Sequence, residues 1–98
     1  MTSVLVIDRD AETRLAACRV LKHAGFAVST AAEEDAAGHF NLVIADLKAI
    51  SLADLLRHHP RARVLTLASE GRAGLVKPFT PSQLLTAVRL CLARPVKR

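Results

Sequence analysis

Two short apolar runs, each followed directly by an aspartate, constrain the fold of this chain most strongly. Val4 to Ile7 and Leu42 to Ala45 are continuously apolar, and Asp8 and Asp46 come next. Runs without alternating polar residues are typical of parallel strands that are buried on both faces of a sheet. Because sites in open parallel sheets form beyond the carboxyl ends of the strands, we expect the two carboxylates to share one site.

The segments around these runs predict helices and further strands. Asp10 opens a first helix, and Gly25 lies where a left-handed cap would end it. The side chains expected to face inward from this helix are Leu15, Ala17, Cys18 and Leu21. The other expected elements are a strand at 26–30, barely two helical turns within 33–40, a strand at 41–46, a short helix at 52–59 with Leu52, Leu55 and Leu56 inward, and strands at 63–68 and 75–77.

The last helix has the clearest start. Thr80 is suited to the N-cap, Pro81 to the first helical position and Gln83 to the reciprocal capping position. Its apolar stripe consists of Leu84, Leu85, Val88, Cys91 and Leu92, and Pro95 closes it. Strands that alternate with helices predict an α/β fold with a parallel sheet.

The link between the fourth and fifth strands is short for a parallel crossover, which normally takes a dozen or so residues. About five residues, 69–73, are available, and they span at most about 17 Å. Either the crossover helix is absent or the fifth strand runs antiparallel. We expect the helix to be absent.

We expect one small domain over residues 1–98, without an effector domain. Hydrophobic residues make up 51% and aromatic residues 3%, so the core must be aliphatic. No apolar run approaches the roughly 18 residues of a membrane span, and the start lacks the basic residues of a signal peptide. Cys18 and Cys91 have no metal-ligand spacing and fit two small core residues in a reducing cytoplasm.

A lysine completes the set of residues at the strand ends. Lys77 closes the run Leu75-Val76 and precedes Pro78. Two carboxylates and a lysine at neighbouring strand ends suit the acceptance of a phosphoryl group. Arg9, directly after Asp8, puts a fixed cation where this chemistry would use a metal ligand.

These residues, with Arg14, Gly25-Phe26 and Lys77-Pro78-Phe79, resemble a receiver domain of bacterial two-component response regulators. The resemblance covers nearly the whole chain, with gaps inside the second, third and fourth helices. It implies a flavodoxin-like fold with five parallel strands in the order 2-1-3-4-5. The first and last helices would cover one face of the sheet, and the shortened or missing helices all belong to the other face.

The resemblance also implies roles for single residues. Asp46 matches the aspartate that accepts a phosphoryl group from a histidine of a partner kinase, forming an acyl phosphate. Lys77 matches the lysine that pairs with the phosphoryl oxygens, and Pro78 matches a proline that commonly follows in a cis bond. Asp8 matches the first residue of the acidic pair that holds Mg²⁺.

Three positions depart from the pattern. Arg9 replaces the second acidic metal ligand, Ala68 stands where a hydroxyl residue is expected, and Gly74 lies near the place of a switching aromatic. Thr66 or Ser69 would need a change of register to supply the hydroxyl. The usual Thr-aromatic relay is therefore expected to be missing.

The charge count predicts weak or absent Mg²⁺ binding. Asp8 and Asp46 face Arg9 and Lys77, and Lys48 adds a further cation nearby. Arg9 could therefore satisfy Asp46 internally or point to solvent. Asp10 could lend a replacement metal ligand, although capping the first helix suits it better.

We therefore predict a non-enzymatic, atypical receiver that acts through protein contact, with slow or lost phosphorylation. Its partner would be a histidine kinase or a downstream target. Shortened helices should expose apolar sheet, which favours a homodimer or a heteromeric contact on that face.

Three alternatives stay open. The first is an active receiver that is phosphorylated on Asp46. The second is a phosphatase of the haloacid-dehalogenase type, since Asp8-Arg9-Asp10 is similar to its Asp-x-Asp start, although Glu12 does not fit that motif. The third is nucleic-acid binding, suggested by the net charge of +5 and by basic residues on the end helices, without any stacking aromatics to support it. These basic residues are Arg19, Lys22, Arg89, Arg94, Lys97 and Arg98.

Overall fold

The computed structural model describes residues 2–32, 38–68 and 74–93, which form five strands and three helices. The strands are β1 (Ser3–Ile7), β2 (Ala27–Ala31), β3 (Leu42–Asp46), β4 (Arg63–Ala68) and β5 (Leu75–Val76). The helices are α1 (Ala11–His23), α2 (Leu52–His58) and α3 (Pro81–Ala93). Of the expected short helix within 33–40, residues 33–37 lie outside the described part of the chain, as does Pro95.

The strands form one sheet in the order β2-β1-β3-β4-β5, and all neighbouring pairs are parallel. The predicted flavodoxin-like order is therefore confirmed. β5 pairs parallel to β4 through Leu67 with Leu75 and Ala68 with Val76, so the antiparallel alternative is wrong. Among the described residues, no helix stands between β4 and β5.

Helices α1 and α3 pack on the sheet face that carries Val4, Val6, Leu42 and Ile44, here called the α1–α3 face. The buried residues of these helices are Ala17, Leu21, Leu84 and Val88. The expected inward position of Leu15 is wrong, because its side chain is 62% exposed. A helix repeats every 3.6 residues, so a face centred on Ala17 and Leu21 leaves Leu15 on the far side.

The opposite face, here called the α2 face, carries Leu5, Ile7, Val43 and Ala45. We expected apolar sheet to be exposed here, and for these central strands that is wrong, since all four residues are fully buried. The residues that cover them include Phe40, Ala49, Ile50, Leu55 and Ala62. Thus the turn after β3 and the seven-residue α2 contribute to closing the centre. The expected inward position of Leu52 is also wrong, because it is 46% exposed.

Local signals fix the helix ends as predicted. Asp10 caps α1 by accepting from the backbone N–H of Glu12, and Gly25 follows the helix with a φ of +97°. Thr80 and Gln83 form a reciprocal capping box at α3, with distances of 3.1 Å and 2.9 Å between side-chain oxygen and backbone nitrogen. No helix of the described residues is long and apolar enough to cross a membrane.

Candidate functional site

The ends of three parallel strands bring the predicted site residues together. Asp8 follows β1, Asp46 is the last residue of β3 and Lys77 follows β5. Lys77 Nζ donates hydrogen bonds to Asp8 Oδ2 and to Asp46 Oδ2, both at 2.5 Å. The predicted juxtaposition of these three residues is confirmed, and Lys77 bridges the two carboxylates.

Burial strengthens this bridge. Asp8 is 2% and Asp46 6% exposed, and the Lys77 side chain is 16% exposed. Ion pairs removed from water are screened much less than surface pairs. The three groups therefore form one partly desolvated charge cluster rather than a loose surface pair.

The backbone around Lys77 holds its position at the sheet edge. The Lys77–Pro78 peptide bond is cis, as the resemblance implied. The Lys77 N–H continues the β4–β5 ladder by donating to Ala68 O at 2.7 Å. A strand of only two residues thus suffices to deliver the lysine to the carboxylates.

The other carboxylate oxygens also have donors. Asp8 Oδ1 accepts from the Asp10 N–H at 2.8 Å, and Asp46 Oδ1 accepts from the Lys48 N–H at 2.7 Å. All four oxygens of the pair therefore accept a hydrogen bond within the chain. Among the described residues, no group of three or more His, Cys, Asp or Glu side chains could hold a metal ion.

The same contacts shift two pKa values. Burial alone would raise the pKa of Asp46, but hydrogen bonds from Lys77 and from the Lys48 N–H, with the charges of both lysines, lower it below its usual range. Burial alone would lower the pKa of Lys77, but its hydrogen bonds to Asp46 and Asp8 raise it. Both shifts favour the ionised pair.

The two other proposed site residues flank this cluster. Arg9 is exposed. Asp10 is engaged as the N-cap of α1: its carboxylate accepts from Glu12 N at 3.3 Å and from Thr13 Oγ1 at 2.5 Å. The hydrogen bond from Thr13 is the main cause of a lowered pKa of Asp10. Capping is thus the role of Asp10 that the structure shows.

Sequence reasoning missed two groups that shape the site. Arg14 Nη1 donates to the backbone oxygen of Asp8 at 2.6 Å, which ties α1 to the end of β1. The Lys48 backbone N–H, rather than its charge alone, holds Asp46. Arg14 belonged to the family resemblance, but only its place in the first turns of α1 could have suggested this contact.

The departures from the receiver pattern are visible at β4. Ala68 ends the strand, and Thr66 pairs with Ala45, one residue before Asp46. The Thr66 hydroxyl accepts from the Gly74 N–H at 3.0 Å, so it is already used by the outer edge of the sheet. Ser69 lies outside the described residues.

The basic residues considered for nucleic-acid binding divide into two groups. Arg19, Lys22 and Arg89 are exposed on α1 and α3. Residues 94–98, with Arg94, Lys97 and Arg98, lie outside the described part of the chain. Net charge alone supports non-specific attraction to anions and no more.

No protein-family model and no curated protein sequence matches the chain. Solved structures do match it. A response regulator from Thermotoga maritima is 22% identical, with a TM-score of 0.81, over 96% of this chain and 99% of that one. A chemotaxis response regulator of Vibrio cholerae is 23% identical, with a TM-score of 0.76, over 93% of this chain and 98% of that one.

A third match is a response regulator from Burkholderia pseudomallei, solved with a phosphorylated aspartic acid, a calcium ion and citrate. It is 24% identical, with a TM-score of 0.76, over 95% of this chain and 69% of that one. Identities this low establish the fold. The chain has the fold of response regulator receiver domains, with fewer helices among its described residues.

Proposed function

We propose that this chain is a receiver-like signalling module of a two-component or phosphorelay system, with weak or absent Mg²⁺-dependent phosphorylation. It would act through contact with a histidine kinase or a downstream target. The proposal rests on Arg9, which stands directly after Asp8 where the receiver pattern has a second acidic metal ligand, together with the bridge from Lys77 Nζ to both Asp8 and Asp46 at 2.5 Å. A divalent ion at this site would have to share the oxygens of Asp8 and Asp46 with the Lys77 ammonium.

The local charge supports this proposal. Asp8 and Asp46 contribute two negative charges, Lys77 contributes one positive charge, and Arg9 and Lys48 follow the two aspartates in sequence. Mg²⁺ dehydrates reluctantly and needs negatively charged oxygen ligands to compensate. A second cation brought to this cluster would have to compete with Lys77 for the same oxygens.

An active receiver phosphorylated on Asp46 is the second candidate. It is favoured by the survival of the acceptor geometry, in which Asp46, Asp8, Lys77 and the cis peptide bond before Pro78 lie together. The Burkholderia structure, which holds a phosphorylated aspartic acid, has the same fold.

Acetyl phosphate distinguishes the two candidates. The chain is incubated with acetyl phosphate, with and without Mg²⁺, and its intact mass is followed beside that of Asp46→Asn. Our proposal expects little or no phosphorylated species under either condition. Rapid, Mg²⁺-dependent addition of one phosphoryl group that is absent from Asp46→Asn would establish the active receiver instead.

We place the partner contact on the α2 face, where Leu47 and Leu52 are 39% and 46% exposed. A formal charge of +5 on each copy opposes self-association, so a partner of opposite charge is favoured over a homodimer. Light scattering at high micromolar concentration checks this. A monomer agrees with a heteromeric contact, whereas a dimer that is broken by Leu52→Glu would show that the partner is a second copy.

A further inference from the structure

The outer edge of β4 is only partly covered by β5. Alternate residues of β4 turn their backbone groups in opposite directions: Arg63 N and Leu67 O bond toward β3, and Ala68 O accepts from Lys77 at the outer side. By this alternation Val64 and Thr66 also face outward. Yet β5 pairs with Leu67 and Ala68 alone. Within the described residues, the first half of β4 thus has no neighbouring strand on this side.

Two contacts show how the chain fills this edge. The Cys91 thiol donates a weak hydrogen bond to Val64 O at 3.5 Å, where a neighbouring strand would otherwise present a backbone N–H. Gly74 enters so close to the strand that a Cβ there would lie 2.6 Å from Leu65 Cδ1. Within the described residues, Gly74 therefore closes the edge at Thr66, and no strand lies beside Val64.

A groove of about 730 Å³ runs between this edge and α3. Its apolar lining includes Leu65, Leu75, Ala87, Leu90 and Cys91, with Val64 and Thr66 along the strand. Leu90 is 57% exposed and Val76 44% exposed. The volume lies within the range of about 300–1,000 Å³ that is typical of ligand clefts.

We propose that this groove binds an extended, acidic segment of a partner protein, which adds to the sheet as a short strand beside β4. An outward backbone edge next to apolar side chains matches an extended peptide, because such a peptide supplies backbone hydrogen bonds and alternating side chains together. A helical peptide bonds its own backbone N–H and C=O groups to each other, so it could contact only the apolar part of the groove.

Charge selects the class of partner. Arg63 and Arg89 directly precede the groove residues Val64 and Leu90 in sequence, and β4, β5 and α3 contain no Asp or Glu. The whole chain carries +5. A second copy would bring the same charges, so an acidic segment fits better than β4 of another molecule. This inference does not depend on the chemistry proposed for Asp46.

The test uses a short capped peptide in which valine and glutamate alternate, titrated into the ¹⁵N-labelled chain. We expect shifts in the first half of β4 and slowed amide exchange at Val64. A peptide with proline at alternate positions, which lacks those N–H donors, should bind at least about tenfold more weakly. Leu90→Glu should weaken binding by about tenfold, whereas Leu15→Glu, at an exposed leucine of α1, should leave it unchanged.

Several outcomes would overturn the proposal. Shifts confined to other strands, equal binding of the proline peptide, or equal binding of a valine–lysine peptide would each refute strand addition or the acidic preference. Protection of the Val64 amide in the free chain would show that the edge is already covered. If that protection grew with protein concentration, a second copy would be the occupant.

Discussion

The rim of the sheet, meaning the strand ends where Asp8, Asp46 and Lys77 meet, has a fully hydrogen-bonded cluster. The outer edge of β4 is only partly covered by the described residues. At the rim, the ends of β1, β3 and β5 assemble a cluster in which Lys77 bridges Asp8 and Asp46 and each carboxylate oxygen accepts a hydrogen bond. At the outer edge, β5 covers only two of the six residues of β4.

This difference shows that the acceptor geometry of the fold does not require a complete sheet. The cluster at the rim forms as long as the carboxyl ends of β1, β3 and β5 lie level with one another. Two residues of β5, held by the ladder to Leu67 and Ala68, are enough to place Lys77. The six-residue link between Ala68 and Leu75 limits how far the chain can return along the strand, so the shortened edge and the intact rim have a common cause.

We expect the largest effect on stability from loosening β4 beneath the carboxylate cluster. Leu67 is fully buried and pairs with Leu75. We expect Leu67→Ala to lower the free energy of unfolding by about 3 kcal/mol, from lost transfer energy and a residual cavity. Urea unfolding measures this. Val76→Ala, at a 44% exposed position of the same ladder, should cost well under about 1 kcal/mol; equal losses would show that the outer edge is packed as tightly as the core.

Removal of the bridging cation should have the next largest effect. Lys77→Met leaves two buried carboxylates facing each other, and we expect a loss of about 2 kcal/mol at neutral pH. Lys48→Met is the matched control, because Lys48 is exposed and its backbone N–H, which holds Asp46, is retained. If both variants lost the same stability, the bridge would contribute nothing beyond general surface charge.

The bridge also predicts a pH dependence. The pKa of Asp46 is lowered by its hydrogen bonds from Lys77 and Lys48 against the effect of burial. Its contribution is therefore present above the unfolded pKa, about 3.9, and is lost as pH falls through the folded value. The pKa of Lys77 is raised, so its contribution is present below about 10.4 and is lost as pH rises through the folded value. The difference in stability between wild type and Lys77→Met should thus be flat between these limits.

A smaller effect separates capping from metal binding at Asp10. Asp10→Ala should cost about 1 kcal/mol by removing the cap of α1, and Asp10→Asn much less, since Asn is an equally good cap. Thermal or urea unfolding measures both. If the two variants were equally destabilised, the cap would not be the reason for the effect.

The smallest expected effect lies at the α2 face. Burial and the neighbouring charge of His58 lower the pKa of His59, whose ring packs edge-on against Phe40. A lowered pKa means that stability is full above the unfolded value, about 6.5, and falls as pH drops toward the folded value. We expect a loss of about 1 kcal/mol or less, seen as a difference between wild type and His59→Gln across this range. Parallel pH profiles would contradict this.

The sequence predicted the rim better than the packing around it. Asp8, Asp46 and Lys77 could be placed because a parallel sheet aligns its strand ends, whatever the details of the core. From the sequence, both Arg9 and Lys77 are candidate cations for these carboxylates. Which of them forms the bridge depends on the register in which β5 pairs with β4. That register follows from the short link between the two strands and could not be derived from residue types.

Helix faces were harder to predict for a similar reason. The apolar pattern of α1 predicts Leu15 on the buried face beside Ala17 and Leu21, but Leu15 is exposed while the other two are buried. In α2, Leu55 is buried while Leu52 is exposed. Short or alanine-rich helices carry too weak a periodic signal to fix their rotation, which is set by contact with the sheet.

A titration with Mg²⁺ measures whether the Lys77 ammonium keeps a divalent ion away from Asp8 and Asp46, as we propose. Calorimetry and amide shifts are recorded for wild type, Lys77→Met and Arg9→Asp. We expect no saturable binding to wild type at cellular magnesium concentrations, and a gain of binding in the variants, with shifts at Asp8 and Asp46. Saturable binding to wild type that is lost in Asp46→Asn would contradict it.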